Sequence, residues 1–382
     1  MERSLFSWLE AIDIVKKDKS INFFAKVVTV WNALSVDSLI ASLQAKGVKI
    51  NAFIVIVEHF ANGYLIDETF FTNTCSTYCY MPTFGKRGKT EFEPCTLSLI
   101  SFYQYLFSKR SETNAVYYAT FNQATPEIII SLSLEPLLER PVVPCKIEEG
   151  VGGYMGTFDN SYPSFSEIKS CGELRSYIRY YLFGSWLYKK LHPAYDSLTL
   201  HQGLSGLKIN QRILPFYRKT FEARTAVTCP QIDRMLISNS IVICTVGWRR
   251  NEIIDEEDFR VIKEVCNYLH SLGHTLLLKP HPRDKFYDKH LDELHCSLLA
   301  VDGLSMESLC AVSQPKAVIS YSSTTLINPK IFWGIPTYCL SDMLQRKKIA
   351  NVYLDEIDRY KRTFGKFVSF PKKLSDFESL KL

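Results

Sequence analysis

Short apolar runs alternate with amphipathic stretches from Lys26 onward, and this alternation predicts a parallel sheet covered by helices. In the first half of the chain we expect strands at 25–31, 52–57, 115–121 and 142–147, with helices at 36–45, 97–107 and 126–138. The pattern is less regular between residues 72 and 94. These elements predict one nucleotide-fold-like unit.

A strong helix is predicted at 166–190, and residues 195–237 are poorly periodic. Beyond them the pattern is clearer, with strands expected at 241–245, 275–278, 298–301, 317–320 and 336–340 and helices at 256–272, 305–312 and 325–333. Cys229-Pro230 interrupts the chain before this second series, so we place a domain joint within 225–238. The expected domains are residues 1–230 and 231–382, two α/β units facing a central cleft.

Composition fits this picture of an ordinary globular protein, since 382 residues with 46% hydrophobic and 22% charged side chains suffice for two cores. The net charge of +5 is too small to indicate a nucleic-acid partner. Basic clusters at 86–89, 249–250 and 346–348 indicate solvated faces, or else a track for an anionic polymer or an anionic membrane surface.

The cysteines number 11, an odd count without paired spacing beyond Cys75 and Cys79, so we expect a reducing cytoplasm and no disulfide scaffold. The first 19 residues are amphipathic and do not resemble a signal peptide. No run reaches the length of a transmembrane helix, so any membrane contact is expected to be peripheral.

A basic, proline-locked imidazole follows the apolar run Leu276-Leu277-Leu278, in the sequence Lys279-Pro280-His281-Pro282-Arg283. The run predicts a buried strand, and the loop at the carboxyl end of such a strand is where an open α/β sheet binds its ligand. The prolines restrict the backbone on both sides of the ring. This loop suits phosphate binding, and the plain alternative is a strand corner with a surface histidine.

Two further clusters follow predicted strands. The first is Glu148-Glu149-Gly150-Val151-Gly152-Gly153-Tyr154, in which two carboxylates are adjacent and one of them can act as a general base. A strand end followed by a glycine-rich turn explains the same sequence as well. Ser320-Tyr321-Ser322-Ser323-Thr324-Thr325 places hydroxyls at a helix start, where they form a phosphate cradle or a simple helix cap. The three clusters together favour transfer from a nucleotide sugar, with a carboxylate activating the acceptor and a histidine stabilising the departing phosphate.

This order of an acidic pair before glycine, a His-Pro loop and a Ser-Ser pair resembles bacterial sialyltransferases of the two-domain GT-B fold. The resemblance is greatest to capsule polysialyltransferases, with lipooligosaccharide sialyltransferases second. It implies an inverting transfer of sialic acid from CMP-sialic acid to a glycan hydroxyl, an acceptor-binding domain at 1–230 and a nucleotide-binding domain at 231–382.

The resemblance also implies site roles. Glu148 would be the base, with Glu149 as the alternative, and His281 would contact the phosphate of cytidine monophosphate and act as acid. Lys279, Ser322, Ser323 and Thr324 would bind the same phosphate. Leu304-Ser305-Met306-Glu307 resembles the segment that holds the nucleoside, which assigns Glu307, with Gly247, to that part of the donor; a helix N-cap at Ser305 with an acidic first turn is the alternative.

Two amides at strand ends, Asn32 and Gln123, are assigned to the acceptor, although capping the following helix explains each nearly as well. No Asp-x-Asp motif follows a predicted strand, and the resemblance implies no metal or other cofactor.

The expected partners are CMP-sialic acid and a sialylated or galactosylated glycan. We expect a cytoplasmic protein, with peripheral contact to the inner membrane and the capsule assembly machinery left open. Three alternatives stay open: a lipooligosaccharide sialyltransferase, a transferase for another cytidine-activated donor such as Kdo or glycerol phosphate, and a non-catalytic glycan-binding or nucleotide-sugar-binding protein.

Overall fold

The computed structural model describes residues 20–27, 30–45, 47, 49–57, 71, 76–81, 116–120, 142–146, 201–202, 208–209, 214–228, 233–246, 252–281, 287, 290–299, 305–349 and 351–380. The chain divides into two compact units, residues 1–60 with 64–220 and residues 61–63 with 221–382. In each unit, the sheet strand that comes first in the chain lies at the centre of a parallel sheet.

The sheet of unit 1 has five parallel strands in the order β3-β2-β1-β4-β5. Phe24 on the central strand lies in register with Phe53 on one side and Tyr118 on the other. The strands are β1 (Ser20–Val27), β2 (Lys49–Val57), β3 (Ser76–Met81), β4 (Val116–Thr120) and β5 (Val142–Lys146). The predictions for β4 and β5 are confirmed.

Helix α1 (Val30–Gln44) begins earlier than the sequence predicted. The predicted strand 25–31 is wrong at its end, because β1 stops at Val27 and Trp31 belongs to the helix. Residues 32–40 are all buried, polar and apolar alike, so this part of the helix has no exposed face and lacks the periodicity by which a half-buried helix is recognised.

Two further elements were missed. β3 lies within residues 72–94, the region predicted to be less regular, and its last four residues, Tyr-Cys-Tyr-Met, do not alternate with polar residues as expected of a half-exposed edge strand. Helix α2 (Leu214–Thr228) lies in the region called poorly periodic, although Tyr217, Thr220 and Phe221 are buried at the i, i+3, i+4 spacing of a helix face. The division between the units falls inside this helix.

Unit 2 carries a parallel sheet in the order β10-β9-β8-β11-β12. All five predicted strands of this half are confirmed, with boundaries shifted by up to a few residues. The strands are β8 (Ser240–Cys244), β9 (Thr275–Lys279), β10 (Ser297–Leu298), β11 (Ala317–Ser320) and β12 (Thr337–Cys339). In unit 1, a separate antiparallel pair joins β6 (His201–Gln202) to β7 (Lys208–Ile209).

The helices predicted for this half are also confirmed, at α4 (Glu252–Ser271), α5 (Met306–Val312) and α6 (Thr324–Trp333). Each residue of β8 is buried, and α4 packs Val261, Val265 and Leu269 into the same apolar core. Burial of side chains of this size stabilises the fold by about 1.5–3 kcal/mol each. The helices of this half are α3 (Arg234–Ser238), α4 (Glu252–Ser271), α5 (Met306–Val312), α6 (Thr324–Trp333) and α7 (Asn351–Phe364).

Both sheets therefore have the same strand order, 3-2-1-4-5 when each sheet is counted from its first strand. This is the Rossmann order, in which ligands bind at the carboxyl ends of the strands beside the point where the order reverses. In unit 1 that point lies between β1 and β4, and in unit 2 it lies between β8 and β11.

The predicted helices at 97–107, 126–138 and 166–190 lie outside the residues that the structure describes. No helix within the described ranges is both long enough and apolar enough to cross a bilayer.

His274 generates a prediction about stability. The residue is buried at the start of β9, and neither ring nitrogen has a hydrogen-bond partner among the described residues. Burial, with the charge of Lys316, lowers the pKa of His274 below its ordinary value of 6.5. The unfolded chain therefore binds more protons below pH 6.5, so stability is full above that pH and falls as the solution is acidified towards the folded-state pKa.

We expect His274→Leu to reduce the loss of stability on acidification, called the acid loss below. The substitution should also raise the unfolding free energy at neutral pH by about 1 kcal/mol, since an unpaired buried polar group is removed. Urea unfolding at pH 7.5 and 5.5 measures both effects. The exposed His295, changed to Gln, is the control and should keep the acid loss of the wild type. Equal acid loss in wild type and His274→Leu would contradict the assignment.

Candidate active site

The carboxyl ends of the four longer strands of unit 2 lie at one edge of its sheet, because these strands are parallel. Each end is followed by a residue with a polar side chain. Thr245 follows β8, His281 comes two residues after β9, Ser322 comes two after β11, and Ser341 comes two after β12. Two of the predicted clusters, the His281 or His-Pro loop (279–283) and the hydroxyl run (320–325), are thus brought to the same sheet edge.

The His281 loop is tied to the central strand. The backbone N–H of His281 donates to the Thr245 hydroxyl at 2.9 Å, and the N–H of Thr245 donates to the Lys279 carbonyl at 3.2 Å. These two bonds extend the β8–β9 ladder past the formal end of the strands. His281 and Lys279 are half-buried, so the loop is fixed while its side chains stay partly open to solvent.

Opposite charges flank the end of β8. Burial raises the pKa of the Cys244 thiol to about 12, while the positive charge of Lys279 opposes the rise and the negative charge of Glu307 adds to it. Lys279 and Glu307 therefore both act on the same strand end. Lys279 makes this end of the sheet favourable for an anion.

The hydroxyl run forms the start of α6. Ser323 is the N-cap, and its hydroxyl accepts from the N–H of Thr325 at 3.3 Å, while Thr324 is the first helical residue. Both side chains are half-buried. The plain alternative of a helix cap is therefore correct for Ser323, and the amino end of a ten-residue helix still carries about half a positive charge towards an anion.

Ser322 is held in a buried polar cluster. Its hydroxyl lies 3.3 Å from that of Ser341, which in turn lies 3.1 Å from the Cys339 thiol. Burial raises the pKa of Cys339 to about 11, although hydrogen bonds from the two serines oppose the rise. The cluster fixes the Ser322 side chain below the loop. At 6% exposure this side chain faces the interior more than Ser323 does.

Helix α7 supports the hydroxyl run from beneath. The fully buried Tyr360 donates its phenolic O–H to the Ser323 carbonyl at 2.7 Å. One residue on, Lys361 makes an ion pair with Asp342, in the segment that follows β12, and lies 5.3 Å from the Phe370 ring centre. The loop that presents Ser322 and Ser323 is thus anchored to a helix far along the chain.

Glu307 lies in the first turn of α5, whose N-cap is Ser305. The Ser305 hydroxyl accepts from the N–H of Ser308 at 3.1 Å. Glu307 is buried, and its carboxylate accepts from the Asn328 amide of α6 at 2.7 Å. This bond ties α5 to α6 and is a structural role that the sequence did not suggest. Contact between Glu307 and the nucleoside stays a prediction.

In unit 1 the predicted acceptor and base residues follow adjacent strands. Asn32 lies in the first turn of α1 rather than at a strand end, and its side chain is completely buried. Gln123 follows β4, and Glu148 and Glu149 follow β5, and both strands end at the same edge as β1. Four predicted site residues lie outside the residues that the structure describes, so their roles stay predictions. They are Gln123, Glu148 and Glu149 and, in unit 2, Gly247.

Sequence reasoning missed Thr245, Ser341 and Tyr360. Thr245 carries a usable signal, since it is a hydroxyl residue at the end of an apolar strand. Ser341 and Tyr360 carry none, because their contacts join positions 19 and 37 residues apart. Within the described ranges no group of three or more His, Cys, Asp or Glu side chains is placed to hold a metal ion.

A family model for alpha-2,8-polysialyltransferases matches residues 105–341, more than half of the chain. The match includes Glu148, Glu149, His281, Ser322 and Ser323. The chain belongs to the alpha-2,8-polysialyltransferase family. It is therefore a glycosyltransferase, a sialyltransferase that uses a nucleotide-sugar donor and a glycan acceptor. No curated protein matches the chain in sequence.

Solved structures are similar in fold at low identity. A putative UDP-N-acetylglucosamine 2-epimerase from Listeria monocytogenes is 13% identical, with 90% of each chain covered and a TM-score of 0.50. An alpha/beta-galactoside alpha-2,3-sialyltransferase from Photobacterium phosphoreum is 12% identical, covering 94% of this chain and 99% of its own at a TM-score of 0.48. A Photobacterium damselae sialyltransferase GT-B domain is 14% identical, with coverage of 92% and 99% and a TM-score of 0.48.

The fold is GT-B, in that each unit of this sialyltransferase carries a Rossmann-ordered parallel sheet. The fold class predicted from the sequence is confirmed in this respect. The chemistry available at this edge of unit 2 is that of an anion site. It combines a cation, an imidazole, hydroxyls and a helix start at one sheet edge.

Tyr360→Phe tests whether α7 supports the hydroxyl run. We expect the KM for the nucleotide-sugar donor to rise roughly threefold to tenfold, because loss of one hydrogen bond of about 1 kcal/mol frees the Ser323 carbonyl. Initial rates at varied donor concentration measure the change. Tyr338→Phe is the matched control, since its phenol lies 3.3 Å from the hydroxyl of Ser379. If both variants raise the KM equally, the support is not specific to Tyr360.

Proposed function

We propose that this sialyltransferase extends a capsular polysialic acid chain, moving sialic acid from CMP-sialic acid to the terminal sialic acid of the acceptor with inversion. The family match over residues 105–341 is the observation that carries the proposal. The linkage proposed is α2,8, in keeping with the description of the family.

The donor phosphate would be bound by unit 2. Lys279 and His281 supply positive charge or hydrogen-bond donors, and Ser323 and Thr324 add hydroxyls at the helix start. An imidazolium at His281 stabilises the phosphate that departs as cytidine monophosphate and can donate a proton to it. The charge at this edge favours an anionic leaving group, which supports the proposal.

The acceptor would be activated by a carboxylate of the Glu148-Glu149 pair. The carboxylate deprotonates the attacking hydroxyl as it approaches the anomeric carbon on the face opposite the phosphate, and this single displacement inverts the configuration. The proton passes to the carboxylate, the bond to the phosphate breaks, and its electron pair leaves with cytidine monophosphate. Asn32 and Gln123 are proposed to lie on the acceptor path.

We further propose turnover without a divalent metal, because the cationic side chains and the helix start supply charge for the phosphate. A cytoplasmic location is also proposed. It is supported by free thiols at Cys244, Cys266, Cys296, Cys310 and Cys339.

Release of cytidine monophosphate from CMP-sialic acid, with and without a short oligosialic acid primer, tests the function. We expect primer-dependent release and a ladder of longer products, and a loss of about 100-fold or more in His281→Ala, as for removal of a general acid. The same rate in EDTA is expected. His295→Ala is the matched control, an exposed histidine that precedes β10 and so lies towards the amino ends of the strands, away from the His-Pro loop.

Release with a galactosylated acceptor and none with oligosialic acid would redirect the assignment to a lipooligosaccharide sialyltransferase. Binding of the donor without any release, by a folded protein, would favour a binding role. Release from another cytidine-activated donor in preference would replace the donor assignment.

Replacing each carboxylate separately identifies the base. We expect Glu148→Gln to lower kcat by about 100-fold or more with little change in donor KM, because a general base contributes about 10²–10⁴. Glu149→Gln should cost less. Steady-state rates over a pH series measure both variants, and a larger loss in Glu149→Gln would exchange the two roles.

A further inference from the structure

Thr245 makes two hydrogen bonds that no role in the proposed function accounts for. Its hydroxyl accepts from the His281 N–H at 2.9 Å, and its own N–H donates to the Lys279 carbonyl at 3.2 Å. The residue is 5% exposed, so the hydroxyl is committed to the protein rather than to solvent. One buried side chain therefore binds the backbone of the His-Pro loop.

The residue before Thr245 is tied to the opposite neighbour. The carbonyl of Cys244 accepts from the Ser320 hydroxyl of β11 at 2.8 Å. The last residues of β8 are thus bonded to the His281 loop on one side and to the start of the hydroxyl run on the other. These side-chain bonds lie beyond the regular strand pairing, at the point where the strand order reverses.

We propose that Thr245 is a positioning residue for the sialyl transfer, one that holds the His281 imidazole in register with the hydroxyl run through the bond from the His281 N–H. This inference rests on the proposed role of His281. Proline on both sides of His281 restricts its backbone dihedrals, and the Thr245 bond fixes where that restricted unit lies. Catalysis depends on such placement, since small displacements of a reacting group lower the rate.

The experiment compares Thr245→Val, which keeps the side-chain shape but removes the acceptor, with Thr245→Ser, which keeps the acceptor. We expect Thr245→Val to lower kcat roughly threefold to tenfold, the effect of one lost hydrogen bond. The acceptor KM should stay unchanged, because the acceptor binds elsewhere. Thr245→Ser should retain most of the wild-type kcat, since the hydroxyl remains.

Thr337→Val is the matched control for the same chemical change. Thr337 is buried on β12 of the same sheet, and its hydroxyl has no hydrogen-bond partner among the described residues. Its replacement should leave kcat at the wild-type value. A fall of kcat in Thr337→Val as large as in Thr245→Val, or an equal fall in Thr245→Ser, overturns the proposal in favour of a general packing effect.

A second measurement is independent of turnover. The protein has eight histidines, so labelling them with ¹⁵N allows the His281 amide to be followed by hydrogen exchange. We expect this amide to exchange roughly threefold to tenfold faster in Thr245→Val and at the wild-type rate in Thr337→Val. Unchanged exchange in Thr245→Val overturns the positioning role.

The two measurements separate the inference from the function on which it rests. If wild type transfers no sialic acid, the proposed function fails, and if wild type is active but His281→Ala is fully active, the proposed role of His281 fails. A faster His281 amide in Thr245→Val supports the hydrogen bond in that case too, but Thr245 then positions a loop with no part in the transfer, and the catalytic form of the proposal is overturned.

Discussion

Unit 2 of this protein depends on the central strand β8, which is hydrogen-bonded to a parallel strand on each side. Because β8 is first in the sheet of unit 2 and central within it, the chain must leave towards β9 and later return to the opposite side at β11. The reversal leaves a gap in the helical cover where two loops meet. His281 and the hydroxyl run come from those two loops, so the topology brings them to one edge.

Side chains then fix the details that topology leaves open. Thr245 and Ser320 tie the two loops to β8, and the Glu307–Asn328 bond ties α5 to α6. Each of these polar groups is buried or half-buried and would be costly to leave unpaired. The same bonds that satisfy them also set the positions of His281 and the hydroxyl run. In this unit the hydrogen bonds that pair the buried polar groups are therefore the same bonds that position the candidate site.

The sequence predicted features that depend on adjacent residues and missed features that depend on contacts between residues distant in the chain. The His281 loop and the cap at Ser305 are encoded by adjacent residues, so both could be located. The start of α1 could not, because a helix buried along residues 32–40 has no exposed face there to set a periodic pattern. Tyr360 could not either, since no local pattern links a tyrosine to a carbonyl 37 residues away. For Glu148 and Glu149, order and spacing carry the assignment, together with the match to the alpha-2,8-polysialyltransferase family.

Because α7 supports the hydroxyl run, it limits where the chain can be truncated. The family match ends at residue 341, but Tyr360 and Lys361 lie beyond it and are joined to the loop and to Asp342. A fragment chosen to end with the matched region would keep the residues assigned to chemistry and lose the helix beneath them. The boundary of the recognisable family segment is therefore not the boundary of the folding unit, and residues without a motif complete unit 2.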